Sequence, residues 1–165
     1  MSMSAPTIYV ESTIPSLYHD VRMSPNIVAR RDWTRRWWAT AQDRFRLVTS
    51  EAVIEEITAG IPEHAEARRS LIDGLPLLTI EPAVIEIVET YIRHKLMPGD
   101  PGGDALHLAL ASYHKCDFLL TWNCMHLANA NKFGHIRRLN SLLGLWVPTL
   151  TTPLELLGET DVEPR

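Results

Sequence analysis

The sequence has little cysteine, no long apolar run and no excess of positive charge. Its 165 residues include two cysteines, Cys116 and Cys124, which are too few for the disulfide framework of a small secreted protein. No apolar stretch approaches the roughly 20 residues of a transmembrane helix. The opening residues, MSMSAPTIYV, lack the charged and apolar regions of a signal peptide. We therefore expect a cytoplasmic protein with no membrane insertion.

Composition and charge are those of an ordinary globular protein. Apolar residues make up 45% and charged residues 22% of the chain, and the net charge is -4. A negative net charge argues against a protein that coats nucleic acid by bulk electrostatics, but it leaves room for a local basic patch. The length and the lack of repeats or linkers predict a single domain over residues 1–165, with residues 157–165 as a loose tail.

Short apolar segments alternate with helical patterns along the chain. Strands are predicted at 7–10, 46–49, 77–80, 118–121 and 145–147, the last of them closed by Pro148. Helices are predicted at 26–43, 51–59, 63–73, 83–95, 105–114 and 127–142. This alternation predicts an α/β fold of three layers, α/β/α, with a central parallel sheet of four to five strands. Functional groups in such sheets collect beyond the carboxyl ends of the strands.

Two glutamates follow the first two predicted strands. Glu11 ends the first strand, where a lone Glu is more often exposed to solvent. In the helix after the second strand, Val53 and Ile57 mark the buried face by their i, i+4 spacing. Glu55 then points to solvent, whereas Glu56 lies at the border of the buried face and can look into a pocket at the end of the sheet.

Asp104 and Asn123 flank the most apolar part of the sequence. Asp104 begins the segment DALHLALAS, and an N-cap alone would explain an aspartate there. Because that helix is apolar nearly all round, the charge at its start needs protein donors or a cation. Asn123 can cap the next helix or offer its amide oxygen to a cation. Asp100 is expected to be a loop residue before Pro101. Carboxylate and amide oxygens at one sheet end would suit Mg²⁺ or Mn²⁺.

Three stretches, IYVESTIPSLY, VTSEAVIEEI and GDALHLALASYHKCDFLLTWN, together resemble the PIN-domain family of metal-dependent ribonucleases, specifically the VapC-type toxins of toxin–antitoxin pairs. The resemblance covers nearly the whole chain, and its central stretch is the most specific part. Carrying the family's acidic quartet across implies Glu11, Glu56, Asp104 and Asn123 as catalytic residues. The family's first acid is usually Asp and its fourth often Asp, so Glu11 and Asn123 depart from the pattern.

The resemblance implies a divalent-metal-dependent endoribonuclease. Mg²⁺ or Mn²⁺ would be held by Glu11, Glu56 and Asp104, would bind a phosphate oxygen and would lower the pKa of a bound water that attacks phosphorus. Asn123 would hydrogen-bond that water or a ligand carboxylate. The implied partners are an RNA substrate, a cognate antitoxin protein and a second copy of the chain in a homodimer. The two departures keep another possibility open, a PIN-like domain with weak or no catalysis that binds RNA or a protein.

Two further features allow more than one interpretation. The segment ARRDWTRRWW places four arginines, Arg30, Arg31, Arg35 and Arg36, among tryptophans. The arginines could bind RNA phosphates, receive an antitoxin segment or face water, while Trp33 and Trp37 are expected in the core. His107, three residues after Asp104 on the same side of its helix, is expected to be a buried core histidine or a partner of a ligand rather than a catalyst.

Overall fold

The computed structural model describes residues 4–59, 62–97 and 103–158, in which short strands alternate with helices. The strands are β1 (Thr7–Val10), β2 (Arg46–Ser50), β3 (Leu77–Leu78), β4 (Phe118–Leu120) and β5 (Thr149–Thr151). The helices are α1 (Thr13–Tyr18), α2 (Pro25–Arg44), α3 (Glu51–Thr58), α4 (Pro62–Ile72), α5 (Pro82–Arg93), α6 (Asp104–Tyr113) and α7 (Ala130–Leu142). Asp100 and residues 159–165 of the predicted tail lie outside the described residues.

The strands form one parallel sheet in the order β3-β2-β1-β4-β5, which confirms the predicted architecture. In the central strand, Tyr9 pairs with Val48 on one side and with Leu119 on the other. Its neighbours Ile8 and Val10 are, like Tyr9, fully buried. A strand covered on both faces in this way is expected to be a nearly continuous apolar run, as Ile8, Tyr9 and Val10 of β1 are.

The strand order places helices on both faces of the sheet. From β1 the chain moves through β2 to β3 in one direction, and it then returns to β4 and β5 on the other side of β1. Because β-α-β crossovers are right-handed, α2, α3 and α4 lie on one face and α5, α6 and α7 on the other. The packing agrees, since α1 contacts α2 and α4, and α5 contacts α6. The direction reverses between β1 and β4, and their carboxyl ends border the crevice where such sheets bind ligands.

Helix α6 runs through the interior, as its sequence predicts. All residues from 105 to 112 are buried, including Leu106, Leu108 and Leu110. Each buried leucine contributes about 1.5–3 kcal/mol relative to exposure. The burial fixes α6 against the sheet and holds its first residue at the sheet's carboxyl end. Among the described residues no helix combines the length and apolar character needed to cross a membrane.

A buried polar network joins α5, α6 and α7. The Tyr91 hydroxyl donates to Oδ1 of Asn140 at 2.6 Å, and the Asn140 amide donates to Oγ of Ser112 at 3.0 Å and to the carbonyl of Trp146 at 2.9 Å. Burial raises the pKa of Tyr91 to about 12. The network meets the hydrogen-bonding needs of these buried groups far from the acidic residues.

The prediction of a strand at 145–147 is wrong, because β5 begins after Pro148. The register pairs Phe118 with Thr149, so the segment before Pro148 has no strand partner in β4. Its groups bond elsewhere, and the Trp146 indole N–H donates to the Cys116 carbonyl at 2.8 Å. Other differences are small. α1 was not predicted as a helix, α7 begins at Ala130 rather than Leu127 and continues through Gly134, and β3 is only two residues long.

Candidate metal centre

Glu11 is a buried carboxylate at the end of β1. Its backbone N–H continues the pairing with β4 by donating to the Leu120 carbonyl at 3.2 Å, and the residue is 3% exposed. Its Oε2 accepts hydrogen bonds from the hydroxyls of Thr13 and Thr121 at 2.5 and 2.7 Å and from the Thr13 backbone N–H at 3.1 Å. Glu11 is therefore not the solvent-exposed glutamate that its position alone favours.

Glu56 faces Glu11 from α3. The Ser50 side chain caps this helix by accepting from the Val53 N–H at 3.4 Å, while Val53 and Ile57 are buried. Glu55 points to solvent and makes no side-chain hydrogen bond among the described residues. Glu56, one residue on, reaches the end of the sheet. The helical periodicity thus predicts which of the two adjacent glutamates faces the site.

A single hydroxyl lies between the two carboxylates. The Ser12 Oγ is 2.8 Å from Oε1 of Glu11 and 2.8 Å from Oε2 of Glu56. A serine hydroxyl has one proton and can satisfy one of these acceptors at a time. Glu11 and Glu56 therefore share a donor, and a cation between them would relieve the repulsion that remains.

His107 completes the group from α6. Its Nε2 is 2.5 Å from Oε1 of Glu56, and the residue is 1% exposed. Burial raises the pKa of Glu56, but the hydrogen bond and charge of His107 and the Ser12 hydroxyl outweigh this and lower it below its ordinary value. Burial likewise lowers the pKa of His107, but the hydrogen bond that its Nε2 donates to Glu56 and the charges of the nearby carboxylates outweigh it and raise the pKa.

Two buried hydroxyls support His107 from behind. Its Nδ1 is 2.8 Å from the Tyr9 hydroxyl, which in turn is 2.7 Å from Oγ of Ser50. Burial raises the pKa of Tyr9, so the phenol stays neutral. A continuous chain of hydrogen bonds therefore links the end of β2 to the Glu56 carboxylate through Tyr9 and His107.

Asp104 pairs with Asn123 beside this group. Gly103 is the N-cap of α6, and Asp104 is the first residue of the helix. The Asn123 amide N–H donates to Oδ1 of Asp104 at 2.9 Å. Burial and the negative charge of Glu11 raise the pKa of Asp104 more than its neighbours lower it. The Asn123 Oδ1 accepts from the N–H groups of Met125 and His126, so this oxygen caps a turn.

Within the described residues, one set of side chains has the spacing of a metal site. Ligand atoms of Glu11, Glu56 and His107 all lie within 4.8 Å of one another. The structure thus brings two predicted ligands together and adds a histidine, whereas Asp104 is coupled electrostatically to Glu11 but lies outside this set. Two carboxylates and an imidazole, with a shared donor between the carboxylates, fit a divalent cation.

The sequence carried faint signals for the residues that the prediction missed. Tyr9 precedes Glu11 by two positions, and alternate residues of an extended segment share a face. His107 follows Asp104 by three positions and lies on the same side of α6. Neither signal shows which carboxylate the histidine contacts, because Glu56 is 51 residues away in the chain.

Three of the four arginines in the segment ARRDWTRRWW contact other groups of the protein. Arg31 donates to the Asp20 carbonyl at 2.6 Å and Arg35 to the Tyr18 carbonyl at 2.9 Å, and these contacts anchor the last residue of α1 and the turn that follows it. Arg36 pairs with Asp32 at 3.0 Å. These contacts favour a structural role for the three side chains over RNA binding.

Arg30 differs, because it lies next to the acidic end of the sheet. Its guanidinium is 5.2 Å from the ring centroid of Trp122 and makes no side-chain hydrogen bond in the part of the chain that the structure describes. The Trp122 backbone N–H donates to the Thr13 hydroxyl, which also binds Glu11. Trp33 stacks on Trp122 and is half-buried, so only the other predicted core residue, Trp37, is fully buried.

Comparison with known proteins identifies the family. The model of the PIN domain matches residues 28–123, which is more than half of the chain. The match includes Glu56, Asp104 and Asn123 and begins after Glu11. No curated protein and no solved structure matches the chain. The matched region spans β2, β3 and β4 and the helices that carry Glu56, His107 and Asp104. The chain therefore belongs to the PIN domain family, whose members are generally metal-dependent nucleases.

Proposed function

We propose that this PIN domain is a divalent-metal-dependent endoribonuclease that hydrolyses RNA phosphodiester bonds. The observation that carries the proposal is the convergence of Glu11 and Glu56 on one shared hydroxyl, Ser12, at the carboxyl end of the sheet. The Glu11 carboxylate is buried and that of Glu56 is partly exposed beside it. Two carboxylates placed so close together are unfavourable unless a positive charge or a hydrogen-bond donor joins them.

The proposed site residues divide the work between binding and orientation. Glu11, Glu56 and Asp104 hold Mg²⁺ or Mn²⁺, and a bound ion supplies positive charge to the phosphate and lowers the pKa of water. Thr13 and Thr121 fix the Glu11 carboxylate by donating to Oε2. Asn123 orients Asp104 through its amide N–H. This hydrogen bond supports the role of an orienting residue, which is the role that the resemblance implies for Asn123.

The biological setting is a further part of the proposal. The similarity to VapC-type toxins supports a toxin that acts in the cytoplasm and is neutralised by a cognate antitoxin protein. Exposed apolar side chains, notably Val21, Met23 and Leu142 at 70%, 76% and 79% exposure, offer surface for an antitoxin and for a homodimer. Light scattering in dilute solution should give the mass of a dimer. Co-expression with a small reading frame encoded beside the gene should suppress RNA cleavage.

Hydrolysis of single-stranded RNA by adjacent glutamate variants tests the proposed activity. The wild-type protein should cleave RNA in the presence of Mg²⁺ or Mn²⁺, and cleavage should stop when a chelator is added. Glu56→Gln should lose at least about 100-fold, because even an orienting partner of a metal ligand typically contributes 10- to 100-fold. Glu55→Gln is the matched control, since Glu55 is exposed on the same helix. Equal loss in both variants, or cleavage that survives the chelator, would contradict the proposal.

A further inference from the structure

The proposed mechanism assigns no role to one buried group that could bind a metal, the imidazole of His107. Its Nε2 belongs to the same 4.8 Å set as the Glu11 and Glu56 carboxylates. The residue is 1% exposed, and no bulk water competes for this nitrogen. A histidine that only filled core space would need no carboxylate at its Nε2.

The ring orientation is fixed from the opposite side. The Tyr9 hydroxyl lies 2.8 Å from Nδ1, and Ser50 holds that hydroxyl at 2.7 Å. Histidine ligands of metals typically bond through one ring nitrogen while the other is fixed by a hydrogen bond to a neighbouring group. Tyr9, Ser50 and His107 are all buried, and their hydrogen bonds hold the imidazole ring with Nε2 facing Glu56.

Nε2 of His107 and Oε1 of Glu56 lie 2.5 Å apart and are joined by a hydrogen bond. Two neighbouring ligands of one octahedral ion, with bonds of about 2.1 Å, lie roughly 3 Å apart. The two side chains therefore need to separate by only about half an ångström to bind one ion in place of the proton. A long glutamate side chain at the border of the buried face of α3 can make that movement.

We propose that Nε2 of His107 is a metal ligand together with Glu11 and Glu56, and that this nitrogen makes the site select Mn²⁺ or a later first-row ion over Mg²⁺. Mg²⁺ takes oxygen ligands and keeps its waters, whereas imidazole is a ligand of transition ions. The inference rests on the proposed metal-dependent function and goes further by adding a histidine ligand to the proposed carboxylates and by naming the class of ion.

Electron spin echo spectroscopy of the tag-free protein loaded with Mn²⁺ tests the ligand directly. Coupling to one ¹⁴N nucleus is expected in the wild type, lost in His107→Gln and retained in His126→Gln. His126 is the matched control, because its charge also acts on Asp104 and it is the nearby alternative nitrogen donor. Absence of nitrogen coupling in the wild type, which needs no variant to fold, would overturn the inference. Loss of coupling in His126→Gln alone would overturn it as well.

Calorimetric titration with Mn²⁺ and Mg²⁺ tests the selectivity. The wild type should bind Mn²⁺ more tightly than Mg²⁺, and His107→Gln should weaken Mn²⁺ binding by about 10-fold or more while changing Mg²⁺ binding far less. Equal weakening for both ions would mean that His107 only positions Glu56, and the inference would fail while the nuclease proposal stood. Failure of the wild type to bind either ion would remove the proposed function itself.

Discussion

Nε2 of His107 and Oε1 of Glu56 lie 2.5 Å apart, although the two residues are 51 positions apart in sequence and come from helices on opposite faces of the sheet. The contact passes over the carboxyl end of β1, between the two helical layers. The site therefore forms only when both layers are in place on the sheet. An ion that binds between these side chains therefore binds only the folded state and stabilises the whole fold.

Metal addition should therefore stabilise the folded protein. At Mn²⁺ concentrations about 100 times the Kd, ligand binding adds about 2.7 kcal/mol to the free energy of unfolding. The melting temperature of the wild type should rise with Mn²⁺ in a calorimetric scan and return to its starting value with a chelator. The rise in melting temperature should be smaller in Glu56→Gln than in the wild type, and in Glu55→Gln it should equal that of the wild type. A melting temperature that does not respond to Mn²⁺ would contradict a site in the folded state.

Asp104→Asn should lower RNA cleavage and, in the absence of metal, raise the stability of the fold. The change should lower metal-dependent cleavage by at least about 100-fold. Burial and the charge of Glu11 raise the pKa of Asp104, so in the absence of metal the fold loses stability as pH rises from the unfolded value of about 3.9 through the raised folded value. The asparagine variant escapes this loss and should be more stable than the wild type near neutral pH.

The same pH dependence gives the control for this experiment. The stability advantage of Asp104→Asn should shrink as the pH falls toward about 3.9, where the carboxyl group is protonated in both states. Asp43→Asn, at an exposed position of α2, should show neither the gain in stability nor the loss of cleavage. Melting temperatures in chelator across this pH range measure the effect. An Asp104→Asn variant that is less stable at neutral pH would contradict the assignment.

Two buried tyrosines provide a matched pair of variants. Tyr9→Phe removes the hydrogen bonds of the Tyr9 hydroxyl to His107 Nδ1 and to Ser50. Tyr91→Phe removes the hydrogen bond of the Tyr91 hydroxyl to Asn140. Each change should lower the free energy of unfolding by about 1–3 kcal/mol in urea titrations. Only Tyr9→Phe should also weaken Mn²⁺ binding, because only Tyr9 supports the site. Equal weakening in both variants would indicate a general loss of rigidity instead.

Arg30 should contribute to RNA binding through a backbone phosphate. In an Asp104→Asn background that does not cleave, Arg30→Gln should weaken binding to single-stranded RNA and reduce the salt slope of log K by about 1. Arg36→Gln, whose arginine pairs with Asp32, should leave the slope unchanged. Fluorescence anisotropy over a range of salt concentrations gives both slopes. An unchanged slope in Arg30→Gln would exclude this phosphate contact.

Local patterns in the sequence were sufficient to predict the parallel sheet and the choice between Glu55 and Glu56. The apolar run of α6 predicts its burial, and the spacing of Val53 and Ile57 predicts the orientation of Glu56. Both depend on periodicity within a single element, which does not change when the chain folds.

What could not be predicted depends on register between distant segments. The position of β5 is decided by pairing with β4, and Pro148 separates the strand from the apolar residues before it. The contact of His107 with Glu56 requires α3 and α6 to meet at the end of the sheet, which no local pattern specifies. Asp104 could be placed at the start of its helix, but its partner Asn123 comes from the end of β4.

Mass analysis of the RNA products formed in ¹⁸O-labelled water tests the central claim most directly. Attack by water at phosphorus breaks the phosphodiester and leaves a terminal phosphate monoester that contains one solvent oxygen, with no involvement of the ribose 2′-hydroxyl. The account predicts labelled, non-cyclic ends that form with Mn²⁺ and do not form with chelator or in Glu56→Gln. Unlabelled 2′,3′-cyclic phosphate ends, formed equally with and without metal, would contradict it.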